Sequence, residues 1–506
     1  MWQSLIAKIE AVNDFINSLV WGWPVIILIL GTGILLTVRT RFLQVTHFGE
    51  SLNSTIVPAL KSLGKKRSPD SRVKSVSQFE AFSTAISGTV GTGNIIGVVS
   101  AILTGGPGAV FWMWISAFFG MVTNYSENVL GLYFRKKDPD GDLSGGAFYY
   151  IANGMKQKWL GICAAVFCIF AAVGMSGVQT NKISGTLSEA LSRASLVTDT
   201  TWVRLIIGIA VAVIAAMIIL GGIQRIGKVA SMLVPFMSLL FIVMSLITLG
   251  KHVAAIPHAF GLIFGKAFSF RAAGGGVLGY TFATVIKKGM ARGVFSNEAG
   301  LGSSVIAHSA SETREPVKQG LWGVFEVFFD TFIICTLTSL TFLTTFDAES
   351  LSGDMEDTAM SLALFSENFG GFGIAVFSVI LPLFAFTTIM AWSYYGEKAV
   401  DFCVQRLSRE KRAMVVKGFK IVYIVLIAVS STIHSELIWA IDDTFNGLMA
   451  VPNLICLIAL SGLVAKITKN YFARKRGEQI EPMLSAYPEL NEEFKADILS
   501  ADDEMR

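Results

Sequence analysis

Long runs of apolar residues dominate this sequence and restrict what it can fold into. A helix that crosses the hydrocarbon core of a bilayer needs about 20 predominantly apolar residues. Only 15% of the 506 residues are charged, and eleven runs satisfy that rule. They lie near residues 19–38, 77–103, 108–134, 159–185, 203–222, 229–250, 278–307, 321–346, 371–395, 418–434 and 438–465, and are numbered here as spans 1 to 11. The sequence therefore predicts an all-α integral membrane protein with about eleven transmembrane helices.

Basic residues are distributed unequally between alternate connections of these spans. If the N-terminus is outside, most Lys and Arg residues fall on the inner side, whereas the long outer loop at 347–370 has none. The segments on the inner side are 39–76, 135–158, 223–228, 308–320, 396–417 and the tail after residue 465. Cytoplasmic loops carry an excess of Lys and Arg. We therefore expect a multi-pass protein of the cell (inner or plasma) membrane with its C-terminus in the cytoplasm.

Span 2 contains an unusually glycine-rich stretch, SGTVGTGNIIGVVSA, from Ser87 to Ala101. Glycine disfavours a helix, and unwound backbone inside a bilayer survives only where protein buries it or it lines a cavity. One alternative is a tight packing face of the GxxxG type, which Gly93 and Gly97 could form. The interleaved hydroxyl and amide side chains favour an unwound binding site, whose half-helix ends suit a carboxylate and a cation.

A second interruption, RGVFSNEAGLGSS, lies five spans later, in span 7. Transporters built from inverted repeats carry broken helices at matching positions of the two halves. The pair of interruptions predicts a five-plus-five inverted repeat with one extra N-terminal helix. The predicted segments are an interfacial helix at 1–18, the extra span at 19–38, repeats at 77–250 and 274–465, and a charged cytoplasmic tail at 466–506.

Span 9 carries two consecutive hydroxyl residues, Thr387 and Thr388, at membrane depth. Each could return its hydroxyl to its own helix backbone. As a pair in this span of an inverted repeat, they are better explained as hard oxygen ligands of a small cation, completed by carbonyls from span 2. Gln179 and Asn94 could likewise bind a polar ligand or simply make an interhelical hydrogen bond.

Three carboxylates, Glu127, Glu298 and Asp330, also lie inside spans, where ionisable groups are costly. Structural pairing with Arg292 or Lys288 is the first interpretation of all three. A role as a proton relay is the second interpretation.

The sequence lacks the signatures of other protein classes. GTGNIIG does not match the dinucleotide-binding pattern, and no histidine pair has metal-ligand spacing. A net charge of +4 gives no indication of nucleic-acid binding, and no organic cofactor is implied. No connection is long enough for an enzyme domain, so we expect a protein that moves its ligand without transforming it.

Several long motifs are similar to those of one known family. GTGNIIGVVSAILTGGPGAVFWMWISAFFGM, TNYSENVLGLYFR, DGDLSGGAFYYI, RGVFSNEAGLGSSVIAHS and TTIMAWSYYGEKA resemble the alanine or glycine:cation symporter family, of the amino acid-polyamine-organocation superfamily. The resemblance implies secondary transporters that import small neutral amino acids with sodium, or in some members with protons. It also implies the leucine-transporter-like fold, with its core in spans 2 to 11.

The resemblance further implies where the ligands bind. The amino acid would contact the unwound backbone of span 2 and side chains of spans 4, 7 and 9, namely Thr89, Val90, Gly91, Thr92, Gly93, Asn94, Gln179, Phe295 and Trp392. Sodium would bind carbonyls and hydroxyls of spans 2 and 9, namely Ser87, Val90, Phe384, Thr387 and Thr388.

These observations predict sodium-coupled symport of a small neutral amino acid, such as alanine or glycine, by alternating access. Serine and glutamine are further candidate substrates. The alternatives are a proton-coupled carrier or exchanger that titrates Glu298 or Asp330, and an amino-acid sensor that does not transport. Besides the substrate, the lipid bilayer is the only partner implied. A monomer would suffice for transport, and the sequence leaves the oligomeric state open.

Overall fold

The computed structural model describes residues 2–58, 76–138, 141–193, 195, 197, 200–268, 282–347, 357–433 and 435–504. Within them the regular structure is helical, apart from one small hairpin in which Lys136–Lys137 pairs antiparallel with Leu143–Ser144. The predicted all-α class is therefore confirmed. The predicted starts of span 7 and of the second repeat, near residues 278 and 274, lie outside the described residues.

The helices follow the predicted order. Spans 1 to 6 are Trp23–Arg39, the pair Gln78–Thr89 and Ile96–Gly105, Ala109–Tyr133, Lys158–Arg193, Thr200–Ile219 and Gly222–Lys251. Spans 7 to 11 are the pair Phe282–Asn297 and Val305–His308, then Pro316–Thr345, Asp357–Cys403, Arg409–Ser430 and Ser435–Lys475. The remaining helices are Trp2–Val20, Leu43–Thr46, Phe48–Ser54, Ala147–Gly154, Ile256–Ala267 and Pro488–Glu504, with short 3-10 turns at Thr92–Asn94 and Val253–Ala255.

Eight helices in the described part of the chain are long and apolar enough to cross a membrane. The predicted spans outside that set are 2, 3 and 7. Spans 2 and 7 are interrupted, and span 3 is a continuous helix of 25 residues whose second half carries the polar run TNYSEN. Interruption thus excludes spans 2 and 7, and polar residues exclude span 3, so the count of eleven stays a prediction.

Span 2 is fixed at its N-terminal end by local hydrogen bonds. Ser77 and Glu80 form a reciprocal capping box, in which the Glu80 N–H donates to Ser77 Oγ at 3.2 Å and the Ser77 N–H to Glu80 Oε2 at 2.8 Å. Just before it, the Val76 N–H donates to the Ala310 carbonyl at 3.2 Å, and the Glu312 N–H donates to the Val76 carbonyl at 2.8 Å. The start of span 2 is therefore joined to the segment that follows the break in span 7.

The surface of the bundle is apolar where spans 5, 6 and 10 face outward. Large side chains such as Trp202, Met232, Leu239 and Val425 are more than half exposed. In a soluble protein such a surface would aggregate, whereas it suits contact with lipid tails. Spans 2, 3, 7 and 9, in contrast, have most of their side chains buried inside the bundle.

The C-terminal tail is more ordered than its charge predicts. Its helix Pro488–Glu504 folds back and buries Phe494 beneath two guanidinium groups, with Arg135 Cζ 5.2 Å and Arg314 Cζ 4.7 Å from the ring centroid. Arg314 Nε also donates to Asp497 Oδ2 at 2.8 Å. The abundant charges of this segment conceal an apolar face, formed by Leu490 and Phe494, that packs against Leu143.

Candidate functional site

Span 2 is interrupted at the glycine-rich stretch, as predicted. Its first half ends at Thr89, and the backbone of Val90 (φ −79°, ψ 89°) and Gly91 (φ −131°, ψ −152°) leaves the helical region. A 3-10 turn at Thr92–Asn94 follows, and the second half begins at Ile96. Close packing does not explain Gly97, because a methyl group added there would meet no heavy atom within 4 Å. The GxxxG alternative is therefore not supported.

Span 7 is interrupted as well. Its first half ends at Asn297, and Glu298 (φ +54°), Gly300 (φ +96°) and Gly302 (φ +74°) then adopt left-handed backbone conformations. These angles are accessible to glycine but rare for glutamate. The helix resumes only as the single turn Val305–His308.

A carboxylate of span 3 replaces hydrogen bonds that this break removes. Glu127 Oε1 accepts the N–H groups of Gly300 and Gly302, both at 3.1 Å. It also accepts Asn453 Nδ2 of span 11 at 2.5 Å, and the same amide donates to the Gly300 carbonyl at 2.9 Å. Spans 3 and 11 thus supply polar partners to backbone that would otherwise be unsatisfied at membrane depth.

The predicted cation ligands of spans 2 and 9 lie together and are buried. Thr388 Oγ1 is 3.0 Å from both the Ser87 carbonyl of span 2 and the Phe384 carbonyl of its own helix. Thr387 Oγ1 is 2.9 Å from the Phe384 carbonyl. Val90 is equally buried, in the turn that follows Ser87. Thr387 returns its hydroxyl to its own helix, which is the alternative to a cation ligand. Thr388 does the same and in addition contacts Ser87 of span 2.

Four of the predicted substrate contacts meet at the turn of span 2. Thr92 Oγ1 donates to Gln179 Oε1 of span 4 at 3.0 Å. A methyl group added at Gly93 would lie 3.4 Å from two ring carbons of Phe295, so this ring of span 7 faces the turn. Spans 2, 4 and 7 therefore converge here, on buried side chains.

The other predicted contacts have different neighbours. Asn94 Oδ1 accepts the Gly91 N–H at 2.9 Å, and its Nδ2 donates to Asp330 Oδ1 at 2.5 Å, so the amide braces the break. The Thr89 hydroxyl bonds to its own helix, at the Ile86 carbonyl. Trp392 donates its indole N–H to Glu298 Oε1 at 3.1 Å and thereby contacts the break in span 7.

The predicted pairing of the buried carboxylates with Arg292 is wrong. Arg292 pairs with Asp443 of span 11 at 3.8 Å. The hydrogen bonds described for the three carboxylates come from amide, hydroxyl, indole and backbone donors. For Asp330 these are Asn94, Ser296 at 2.8 Å and Thr331 at 2.8 Å. Uncharged donors thus replace the expected counter-charges.

Phe295, a predicted contact, stacks with Trp439, which was not predicted, and the two rings form an aromatic cover beside the turn of span 2. The two rings stack with centroids 5.6 Å apart. Arg292 Cζ lies 5.2 Å and Lys182 Nζ 5.3 Å from the centroid of the Trp439 ring. Lys182 is paired in turn with Asp357 at 3.4 Å. The sequence offers only a weak signal for this cluster, since a tryptophan near a helix end is common in membrane proteins.

Two interrupted helices inside a bundle of apolar spans are typical of a membrane protein with the leucine-transporter-like fold. Two solved structures share this fold. MhsT in complex with L-phenylalanine matches with a TM-score of 0.56 and 13% identity, over 79% of this chain and 99% of MhsT. A Na⁺-coupled sialic acid symporter matches with a TM-score of 0.53 and 15% identity, over 88% and 94%. At such identities the likeness concerns the fold alone.

Residues 6–485 match the sodium:alanine symporter family. The sodium/alanine symporter AgcS of Methanococcus maripaludis is 38% identical over 470 residues, which are 92% of this chain and 97% of AgcS. The chain therefore belongs to the sodium:alanine symporter family, and the resemblance seen in its motifs is confirmed. It is a sodium-coupled amino-acid symporter and not an enzyme.

Gly91 and Gly97 form a matched pair for testing the break in span 2. A methyl group at Gly91 would lie 2.6 Å from Thr388 Oγ1 and 3.5 Å from Gln179 Nε2, whereas one at Gly97 has open space. We expect Gly91→Ala to lower the rate of sodium-driven uptake of labelled alanine at least tenfold in proteoliposomes. Gly97→Ala should retain the wild-type rate. Equal rates for the two variants would show that contact between the turn and span 9 is unimportant.

Proposed function

We propose that this protein imports a small neutral amino acid, with alanine and glycine as first candidates, together with sodium by alternating access. The observation that carries the proposal is the contact between Thr388 and the Ser87 carbonyl, which joins span 9 to span 2 just before its break. Both candidate sites share this one interruption. A ligand that orders either site therefore changes the backbone of the other.

The amino acid fits the polar ends that the breaks create. The second half of span 2 begins at Ile96, and the N-terminal end of a helix carries partial positive charge that suits a carboxylate. The first half of span 7 ends at Asn297, and its C-terminal end suits an ammonium group. The Phe295 ring faces Gly93 in the turn of span 2, where it would contact the side chain of a bound amino acid.

Sodium fits the oxygen atoms between spans 2 and 9. The hydroxyl hydrogens of Thr387 and Thr388 now point at carbonyl oxygens, but a hydroxyl oxygen also carries lone pairs. A small hard cation would turn both hydroxyls and the carbonyls of Ser87, Val90 and Phe384 into ligands. Binding would fix span 9 against the broken helix and thus raise the affinity for the amino acid, and the reverse follows by linkage.

The sodium gradient supplies sufficient free energy for accumulation. One charge that crosses 100 mV contributes about 2.3 kcal/mol, and every 1.4 kcal/mol corresponds to about a tenfold ratio. Membrane potential alone thus gives roughly a 50-fold concentration ratio per sodium ion.

The aromatic cover belongs to the outward side in the proposed orientation, with the N-terminus outside and the C-terminus in the cytoplasm of the cell (inner or plasma) membrane. Lys182 and Arg292 flank Trp439 on that side. A monomer suffices for the transport proposed here.

Uptake in proteoliposomes tests the proposal. Purified protein should accumulate labelled alanine when a sodium gradient is imposed, and should not do so under a potassium gradient of equal size. Unlabelled glycine, serine, glutamine and D-alanine, added in turn, would rank the substrates by competition. Uptake driven by a pH gradient alone would contradict sodium coupling. Alanine binding without accumulation would indicate a sensor.

The Thr388 hydroxyl can be removed with little change of shape. We expect Thr388→Val to raise the sodium concentration for half-maximal uptake at least tenfold, because a cation ligand is lost while the volume is kept. Thr344→Val is the matched control, since among the described residues the Thr344 hydroxyl bonds to carbonyls of its own helix, those of Leu340 and Thr341. Unchanged sodium dependence in Thr388→Val would remove this residue from the cation site.

A further inference from the structure

The helix Pro488–Glu504 of the tail, called the tail helix here, packs against the loop that joins spans 7 and 8. Residues 309–315 of that loop are called the inner segment, because the proposed orientation places them on the cytoplasmic side. Phe494 of the tail helix is fully buried, and Asp497 accepts the Nε–H of Arg314 in the inner segment at 2.8 Å. The tail is thus attached to the segment that follows the break in span 7.

Arg135, just after the end of span 3, is the buried centre of this contact. Its Nη1 donates to the carbonyls of Ser309 at 3.3 Å and Ser311 at 2.8 Å, and its Nη2 donates to the carbonyl of Thr313. The Phe494 ring covers the guanidinium, whose Cζ lies 5.2 Å from the ring centroid. An aromatic face stabilises a cation, and hydrogen bonds are stronger where water is excluded. Phe494 therefore strengthens the hold of Arg135 on the inner segment.

The inner segment in turn holds the start of span 2. The Val76 N–H donates to the Ala310 carbonyl at 3.2 Å, and the Glu312 N–H donates to the Val76 carbonyl at 2.8 Å. Val76 directly precedes the capping box that begins the first half of span 2, and this half ends at Thr89. A displacement of the inner segment would therefore be transmitted to the half-helix that carries the Ser87 carbonyl of the proposed cation site.

A further contact joins the inner segment to span 11. Glu315 Oε2 accepts Arg474 Nη2 at 2.6 Å. One short segment thus contacts spans 2, 3 and 11 as well as the tail helix. Alternating access requires one group of helices to move against the other around the site. Contacts that hold the inner segment in place therefore oppose opening of the site to the cytoplasm.

The tail helix is attached by contacts that can be released. Asp497 is 44% exposed, and Glu493, which pairs with Lys137, is 43% exposed. Ion pairs with such exposure are individually weak and are screened by salt. The apolar contacts of the helix are confined to a small cluster, formed by Leu143, Leu484, Leu490 and Phe494 with Tyr487 and Ile498 at its edge. The helix can therefore leave the bundle without disrupting the core around the two breaks.

We propose that the tail helix is a regulatory element that holds the cytoplasmic side of the transporter closed. While it is bound, Phe494 covers Arg135, and the inner segment keeps the start of span 2 in place. Its release admits water to Arg135, weakens the three hydrogen bonds to the inner segment and favours the inward-open state. This inference rests on the proposed alternating access, and it concerns how readily the inner side opens.

The rate at which Cys335 is labelled reports opening of the site. Its Sγ lies 3.2 Å from Ser296 Oγ, beside the break in span 7, and the residue is buried. A charged methanethiosulfonate reagent is added to the cytoplasmic side of inside-out vesicles, and peptide mass spectrometry identifies the labelled cysteine. We expect Cys335 to be labelled at least threefold faster in Phe494→Ala than in the wild type.

Two variants on the surface of the tail helix form a matched pair and keep the test decisive if Phe494→Ala does not fold. Asp497→Asn removes the charge that faces Arg314 and should speed labelling of Cys335 at least twofold. Glu492→Gln also removes one charge, but Glu492 pairs with Lys495 of the same helix. This control should be labelled at the wild-type rate.

Three outcomes would overturn the role of the tail helix. One is an unchanged rate of Cys335 labelling in both Phe494→Ala and Asp497→Asn, and another is an equal increase in Glu492→Gln. The third is an equal increase at the buried Cys456, which would show a general loosening of the fold. None of them touches the proposed function, which a wild type without any sodium-driven uptake of alanine would refute.

Discussion

The rest of the structure depends on how backbone polar groups are satisfied where two helices are interrupted inside a membrane. Each lost intrahelical hydrogen bond would leave a buried N–H or C=O group unpaired, at a cost of about 1–3 kcal/mol. Glu127 and Asn453 supply partners to the break in span 7, and Asn94 does so in span 2. Buried polar side chains are therefore a structural condition of these breaks.

This condition explains the division of labour among the spans. Spans 3, 8 and 11 present carboxylates and amides to the breaks, whereas span 9 presents hydroxyls to span 2. The carboxylates and amides fix the backbone turns, and the hydroxyls can exchange a hydrogen bond for a cation. The bundle thus combines fixed hydrogen bonds at the two breaks with a contact between spans 2 and 9 that a cation can change.

The sequence predicted the breaks well because glycine and hydroxyl residues in an apolar run leave few other interpretations. The repeat predicted that the hydroxyls of span 9 face carbonyls of span 2, and the resemblance named Ser87 among those carbonyls; in the structure Thr388 contacts it. The partners of Asp330 were not predicted, since a single acid in an apolar run carries no information on which span faces it. Arg292 was expected to pair with a buried carboxylate such as Glu298, six residues away in sequence. In the structure it contacts Trp439 and Asp443 instead. The buried face of the tail, at Phe494, was concealed by its charged neighbours.

The central claim is that the interrupted helices bind an amino acid and sodium as one unit. Equilibrium binding of labelled alanine to the purified protein, measured in sodium and in potassium at equal ionic strength, tests this claim most directly. The account predicts that alanine binds at least tenfold more tightly in sodium. Equal affinities in the two salts would contradict it, since the break in span 2 would then not couple the two ligands.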